Sequence, residues 1–242
     1  MALTSATGII LKQIKYGDTS LICQIYTVEY GRRAFLFKGI RSKKSKIHSN
    51  ILQALFIVKL EFYYKEGHEL FLVKDASLET VFNHFPYDIH KSSQAIFIAE
   101  VLNKCLREEE SNEVLYSFVR NSIEYFDLVH QGSANFHLIF LIKLSKHLGF
   151  YPSLKMNSQE NLFDLKDGVF RESFPLHSDY MDDYNSAILQ DILNNNYEHL
   201  AILELNQKRR NELLEFILKY YTIHFDGINN LKSYHILKEI FS

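Results

Sequence analysis

The segment Phe56–Tyr64, FIVKLEFYY, decides how the first third of the chain folds. Phe56, Val58, Leu60, Phe62 and Tyr64 alternate there with Ile57, Lys59, Glu61 and Tyr63. A period of two with one mostly polar face is the pattern of a half-buried antiparallel strand. Upstream, Ile9–Ile14 and Ser20–Val28 are short apolar runs separated by the turn residues Tyr16-Gly17-Asp18-Thr19. Glu29-Tyr30-Gly31 turns the chain into Arg33–Lys38, and Lys65-Glu66-Gly67-His68 turns it into Glu69–Asp75. Five short strands with tight turns predict a small barrel, for which the OB-fold is the natural architecture.

From about Leu78 the period changes to that of helices. One is expected over Ile89–Leu106. A second, capped by Ser111 or Asn112, carries Leu115, Phe118, Val119, Ser122, Phe126 and Val129 on one stripe. Phe136–Leu148 closes at Gly149 ahead of Pro152, and further helices are expected over Asn185–Leu193, Arg209–Phe225 and Leu231–Phe241. Leu162–Arg171 interrupts them as a β-hairpin, with Asp167-Gly168 favouring a tight type I′ turn. The expected fold class is therefore α+β. An OB-fold barrel occupies residues 1–80, and a mainly helical bundle occupies 81–242 with a hairpin insertion around 158–175.

The 242 residues are 47% apolar, enough for a packed core, and three prolines with nine glycines argue against low complexity. The start, MALTSATGIILKQ, lacks a charged segment followed by a long apolar run. No stretch reaches the roughly 18 apolar residues of a membrane helix. Two cysteines, Cys23 and Cys105, are too few for a disulfide framework and are most simply buried thiols. These features predict a soluble cytoplasmic protein with no membrane partner.

Residues 1–80 hold twelve basic against seven acidic side chains, a net +5; the remainder holds fifteen against twenty-two, a net −7. A basic front on an acidic back points to two tasks, one of them electrostatic. No catalytic pattern accompanies it: the sequence has no HExxH, GxSxG, GxxxxGK[ST] or helix-opening GxGxxG. His84 with His90 and His137 with His147 lack the spacing of a metal site, and no CxxC occurs. The acids Glu108-Glu109-Glu110 and Asp182-Asp183 come as solvated runs, not as two carboxylates in different environments. No enzyme, no cofactor and no metal are expected.

Arg32, Arg33, Lys38, Arg41, Lys43, Lys44 and Lys46 fall within 15 residues without an interleaved acid. On an OB barrel such cations neutralise phosphates while aromatic rings stack on bases. Phe35 and Phe37 are the neighbouring rings, on the same side of a strand as Arg33. Alternation alone does not assign that side: the two rings either stack on bases or fill the barrel.

Gly8-Ile-Ile-Leu-Lys12, Tyr16-Gly-Asp-Thr-Ser20, Tyr30-Gly-Arg32 and Lys38-Gly-Ile-Arg-Ser-Lys43 occur in this order. Leu144-Ser-Lys-His-Leu-Gly-Phe-Tyr-Pro152, Arg209-Arg210, Tyr220-Tyr221 and Leu231-Lys-Ser233 follow. With these strings the chain resembles the RecO family of bacterial recombination mediators over nearly its whole length. The resemblance implies an OB-fold and a helical domain, binding of single- and double-stranded DNA, and annealing of complementary strands. It also implies help in replacing single-strand-binding protein by the RecA recombinase during DNA repair. RecR and the acidic, apolar C-terminal tail of single-strand-binding protein are the implied partners, in a bacterial cytoplasm and at the nucleoid during repair. The family's DNA contacts fall here on Arg32, Lys38, Arg41, Lys43 and Lys44. Many members carry a four-cysteine zinc module after the Gly-Phe-x-Pro equivalent, but Leu154–Phe174 here contains no cysteine, so zinc is not carried over. The competing reading is a protein-interaction adaptor whose helical part binds a partner and whose basic loop is incidental.

Overall fold

A computed structural model describes residues 2–43, 45–106, 111–154 and 162–240. The early strands are β1 (Ala2–Tyr16), β2 (Ser20–Thr27), β3 (Gly31–Phe37), β4 (Ile57–Tyr64) and β5 (Leu70–Leu78). They pair in the order β1-β2-β3-β5-β4, and β4 returns to β1 to close a barrel. All ladders are antiparallel except β3–β5, which is parallel and spans Ala34–Leu36 against Leu70–Leu72. This is the five-stranded OB-fold arrangement expected from the alternating segments.

β1 is longer than its apolar run because it serves two neighbours. Ala2–Ile9 pairs with β4, while Gly8–Tyr16 pairs with β2. Both ladders meet at Gly8, where a Cβ would lie 2.5 Å from Ile25 Cγ2, so glycine is required by the close approach of the strands. Inside the barrel Phe35, Phe62 and Phe71 pack with centroids 5.0–5.9 Å apart, Phe35 and Phe62 edge to face. Phe35 and Phe37 are 0% and 1% exposed. The stacking alternative is therefore corrected: both rings fill the core and neither face is open to a base.

The helices are α1 (Ile89–Cys105), α2 (Glu113–Leu128), α3 (Phe136–His147), α4 (Asp183–Asn194), α5 (Gln207–His224) and α6 (Lys232–Ile240). Side-chain caps set several starts: Asp88 accepts from the His90 and Lys91 amides, Asn112 from Leu115, Asp182 from Asn185, and Asn206 from Arg209. Phe241, expected at the end of the last helix, and the acids Glu108–Glu110 lie outside the described residues.

By contact the chain divides into two compact units, residues 1–128 and 129–242. The expected boundary near residue 80 follows the change of secondary structure, whereas the packing boundary lies after α2, because α1 packs on β1. In the first unit Lys91, 4% exposed, donates from Nζ to the Phe126 and Asp127 carbonyls, both at 3.0 Å, and so closes the C-terminus of α2. The Asp127 carboxylate accepts from the amides of Asn83, His84 and Phe85. Burial pushes its pKa up, yet these three bonds outweigh burial and hold it below the ordinary carboxylate value.

In the second unit α3 is buried on nearly every side and forms the centre. The hairpin follows it as β6 (Leu162–Asp164) and β7 (Val169–Arg171). Residues 158–161 of the expected insertion lie outside the described residues. The turn is not the expected two-residue type I′. Asp164 pairs with Val169 across a four-residue loop, and Gly168 alone of the loop has positive φ, +67°. The Asp164 carboxylate captures the amides of Lys166 and Asp167, an Asx-type turn that competes with the Asp-Gly preference.

Candidate nucleic-acid interface

The basic loop leaves β3 at Lys38 and is fastened to the β1–β2 turn. Gly39 adopts φ +69° and donates its amide to Ser20 Oγ at 3.1 Å. The Arg41 amide donates to the Thr19 carbonyl at 2.8 Å. Arg41 Nη2 also reaches the Gly17 and Asp18 carbonyls, both at 2.7 Å. Ile40 is buried and anchors the segment, and Ser42 and Ser45 donate their amides to Gly39 and Ser42 in successive tight turns. These bonds hold Lys38, Lys43 and Lys46 exposed on an ordered rim. Lys44 lies outside the described residues.

Among the described residues no carboxylate pairs with Lys38, Lys43 or Lys46. Several cations elsewhere are matched: Lys59 pairs with Glu79, Lys74 with Glu61, Lys166 and Lys219 with Asp179, and Lys238 with Glu215. An unmatched cluster keeps its full attraction for an external anion, whereas matched pairs are locally neutral.

The seven cations of the sequence cluster do not make one patch. Arg32 and Arg33 sit at the start of β3 and Lys38 follows its end, which extended geometry separates by about 20 Å. Arg33 Nε donates to the Tyr30 carbonyl at 3.2 Å, at the other end of the strand from the loop. Two further cations, missed in the sequence, lie on β1, where register puts Lys12 level with Gln24 and Ala34 and Lys15 level with Leu21 and Phe37. Lys12 and Lys15 are exposed on the last turn-ward stretch of β1, with Tyr16, 54% exposed, beside the β1–β2 turn that Arg41 holds. The signal was present: β1, β2 and β3 contain no Asp or Glu at all. Tyr16 supplies the accessible ring that Phe35 and Phe37 do not.

Cys23 lies opposite Phe35 in the core, and burial pushes its thiol pKa up to about 12. Among the described residues no three His, Cys, Asp or Glu side chains are grouped to hold a metal ion. No helix among them is long and apolar enough to cross a membrane.

The family models settle the kinship. Recombination protein O N terminal matches residues 1–82, and Recombination protein O C terminal matches residues 86–235. The chain belongs to the RecO family. A DNA repair protein RecO of Bacteroides fragilis is 37% identical over 240 residues, covering 99% of each chain. That of Phocaeicola vulgatus is 35% identical over 99% of this chain and 100% of its own. That of Christiangramia forsetii is 31% identical over 99% of both. The resemblance drawn from the ordered sequence strings thus holds along the full length, and the barrel with its basic rim occupies the N-terminal RecO segment.

Proposed function

We propose that this chain is a DNA-binding repair protein that anneals complementary single strands and assists loading of a recombinase onto strands coated with single-strand-binding protein. The observation that carries the reading is the rim of exposed, unmatched lysines, Lys38, Lys43 and Lys46, beside the acid-free strands bearing Lys12 and Lys15. Two DNA strands repel each other, and a cationic surface that screens both raises their encounter rate. Binding positions backbone phosphates on the rim and leaves Tyr16 to stack on a base. No covalent step is required, so the protein acts without catalysis and without a resident cofactor. RecR and the acidic tail of single-strand-binding protein are the partners that the family kinship supports, in the bacterial cytoplasm.

The test is fluorescence-monitored annealing of complementary oligonucleotides, with and without single-strand-binding protein, across a salt series. Five lysines on single-stranded phosphates give a log–log salt slope of roughly −3.5, at about −0.7 per contact. A slope near zero sinks the proposal. Annealing that persists unchanged after charge reversal of Arg41 and Lys43 favours the adaptor reading instead.

A further inference from the structure

A cavity of about 430 Å³ lies in the second unit between the start of α4, which contributes Asp182 and Asn185, and α5, which contributes residues from Arg209 to Lys219. That volume is within the range of small-molecule sites. Arg209, Glu212, Phe216 and Lys219 recur at helical spacing and so share one face of α5. The cations of the cavity are already matched. Arg209 Nη1 bonds Glu212 Oε2 at 2.9 Å while its guanidinium lies over the Tyr184 ring, and Lys219 Nζ bonds Asp179 at 2.7 Å. Asn185 Nδ2 is spent on the two Asp182 carboxylate oxygens, at 3.0 and 3.1 Å. Acceptors are left over. Asn185 is 0% exposed, and its Oδ1 has no hydrogen-bond partner among the described residues. A buried acceptor without a donor is uncommon in a folded chain, and this one stands independently of the surrounding charges. Glu212 Oε1 has only Lys208, at 3.9 Å. Glu215 takes Tyr234 and Lys238 on Oε1, and the Lys238 bond holds its carboxyl below the ordinary value, so it is charged at neutral pH.

We infer that this cavity binds a linear alkylammonium group, whose N–H donors satisfy Asn185 Oδ1 and the Glu212 and Glu215 carboxylates while Phe216 supplies an apolar wall for its methylenes. An ammonium carries three donors and no acceptor, the complement of what the cavity leaves open. An anion is disfavoured, because Arg209 and Lys219 each already face a carboxylate. An inorganic cation finds no coordination sphere, since no three His, Cys, Asp or Glu side chains among the described residues are grouped to hold one. A free polyamine and a lysine side chain of a partner protein share the alkylammonium chemistry, and the test separates them. The inference does not depend on DNA binding by the basic rim.

The test is isothermal titration of the full chain with spermidine, with a blocked Gly-Lys-Gly peptide, and with the same peptide carrying norleucine in place of Lys. Glu215→Gln removes one lining charge yet keeps an acceptor for Tyr234 and Lys238. Asp183→Asn removes the same charge from an exposed residue that does not line the cavity. Asn185→Ser withdraws the buried acceptor; thermal melts show whether that variant folds, and Glu215→Gln suffices if it does not. Spermidine or the Lys peptide is expected to saturate a single site, and the norleucine peptide not to bind. Glu215→Gln weakens binding about tenfold, as expected for one charge-assisted bond, whereas Asp183→Asn changes it less than about twofold. Tighter binding of spermidine assigns the site to a free polyamine, and tighter binding of the peptide assigns it to a partner's lysine. Three results overturn the inference: binding of neither amine, equal binding of the norleucine peptide, or an equal loss from Asp183→Asn and Glu215→Gln, which would mean a diffuse acidic field.

Discussion

Arg41 Nη2 lies 2.7 Å from the carbonyl oxygen of Gly17, and the bond ties the basic loop to the β1–β2 turn. The same nitrogen holds Asp18, and the Arg41 amide holds Thr19, so one residue fixes both loops at the rim. Arg41 thus acts as a clamp as well as a charge. Arg41→Lys keeps the charge but loses the planar donor group that reaches two carbonyls. It is expected to weaken single-stranded DNA binding several-fold with the salt slope nearly unchanged. Arg41→Ala lowers affinity further and reduces the slope if the guanidinium also touches phosphate. Fluorescence anisotropy over a salt series separates the two effects.

Lys38, Lys43 and Lys46 are exposed and break no ion pair when replaced. The triple substitution to Gln should leave the melting temperature unaltered while the salt slope becomes shallower by about 2, at about 0.7 per contact. The equivalent change at Lys166, Lys219 and Lys238, whose ammonium groups are held by Asp179 and Glu215, should leave the slope where it was. Equal effects from both triplets would falsify the assignment of the rim.

The barrel was legible because burial acts on alternate residues, and Val58, Leu60 and Phe62 announce that in FIVKLEFYY. The N-terminal half of β1 was not, since Ala2–Thr7 has no alternation of its own and becomes a strand by pairing with β4. Phe35 and Phe37 stayed ambiguous because alternation defines two faces without saying which looks inward; the ring contacts of Phe35 with Phe62 and Phe71 and the burial of Phe37 decide it. The cation cluster read as one patch because sequence distance hides strand extension, which carries Arg32 away from Lys38. Lys12 and Lys15 were overlooked for the converse reason: they are remote in sequence and brought level with β3 by the β1–β2 turn.

Lys91 lies beneath the surface of the first unit, and burial lowers its pKa against the opposing pull of Asp127. Lys91→Met keeps the aliphatic stem and removes the donor to the Phe126 and Asp127 carbonyls. The variant is expected to lose about 3 kcal/mol, because two buried acceptors and the nearby carboxylate are left without the ammonium group. Asp127, whose pKa is depressed in the fold, contributes stability above the ordinary carboxylate value that fades as pH falls through its folded value. Urea midpoints of wild type and Asp127→Asn should therefore converge in acid.

The hairpin of the second unit is held by side chains. Asp164 accepts from Arg171 Nε at 2.8 Å as well as from its own loop, Arg171 also bonds Asp167, and Phe163 donates its amide to Ser186 Oγ. Chelator treatment is expected to leave the thermal melt unchanged, while Asp164→Asn costs about 2 kcal/mol by weakening charge-assisted bonds at a buried site. A melt that shifts with chelator and recovers with zinc would overturn this account.

His137, on the fully buried side of α3, provides the sharpest pH signature. Burial, reinforced by the Arg210 charge, lowers its pKa to about 3, so the imidazole is neutral in the folded chain at every pH of ordinary use. Below about 6.5 the unfolded chain takes up a proton that the folded chain refuses. Stability must then fall with pH by about 1.4 kcal/mol per unit until the folded value is reached, and it is unaffected above about 6.5. Between about pH 6.5 and 5 the loss from this one side chain is about 2 kcal/mol. His137→Gln retains a polar group without the titration, so its stability should fall less steeply over the same interval, whatever its absolute stability. Urea midpoints at matched pH values for the two proteins measure the difference in slope. Parallel pH profiles would show that His137 exchanges protons in the folded state and is not sealed within the second unit.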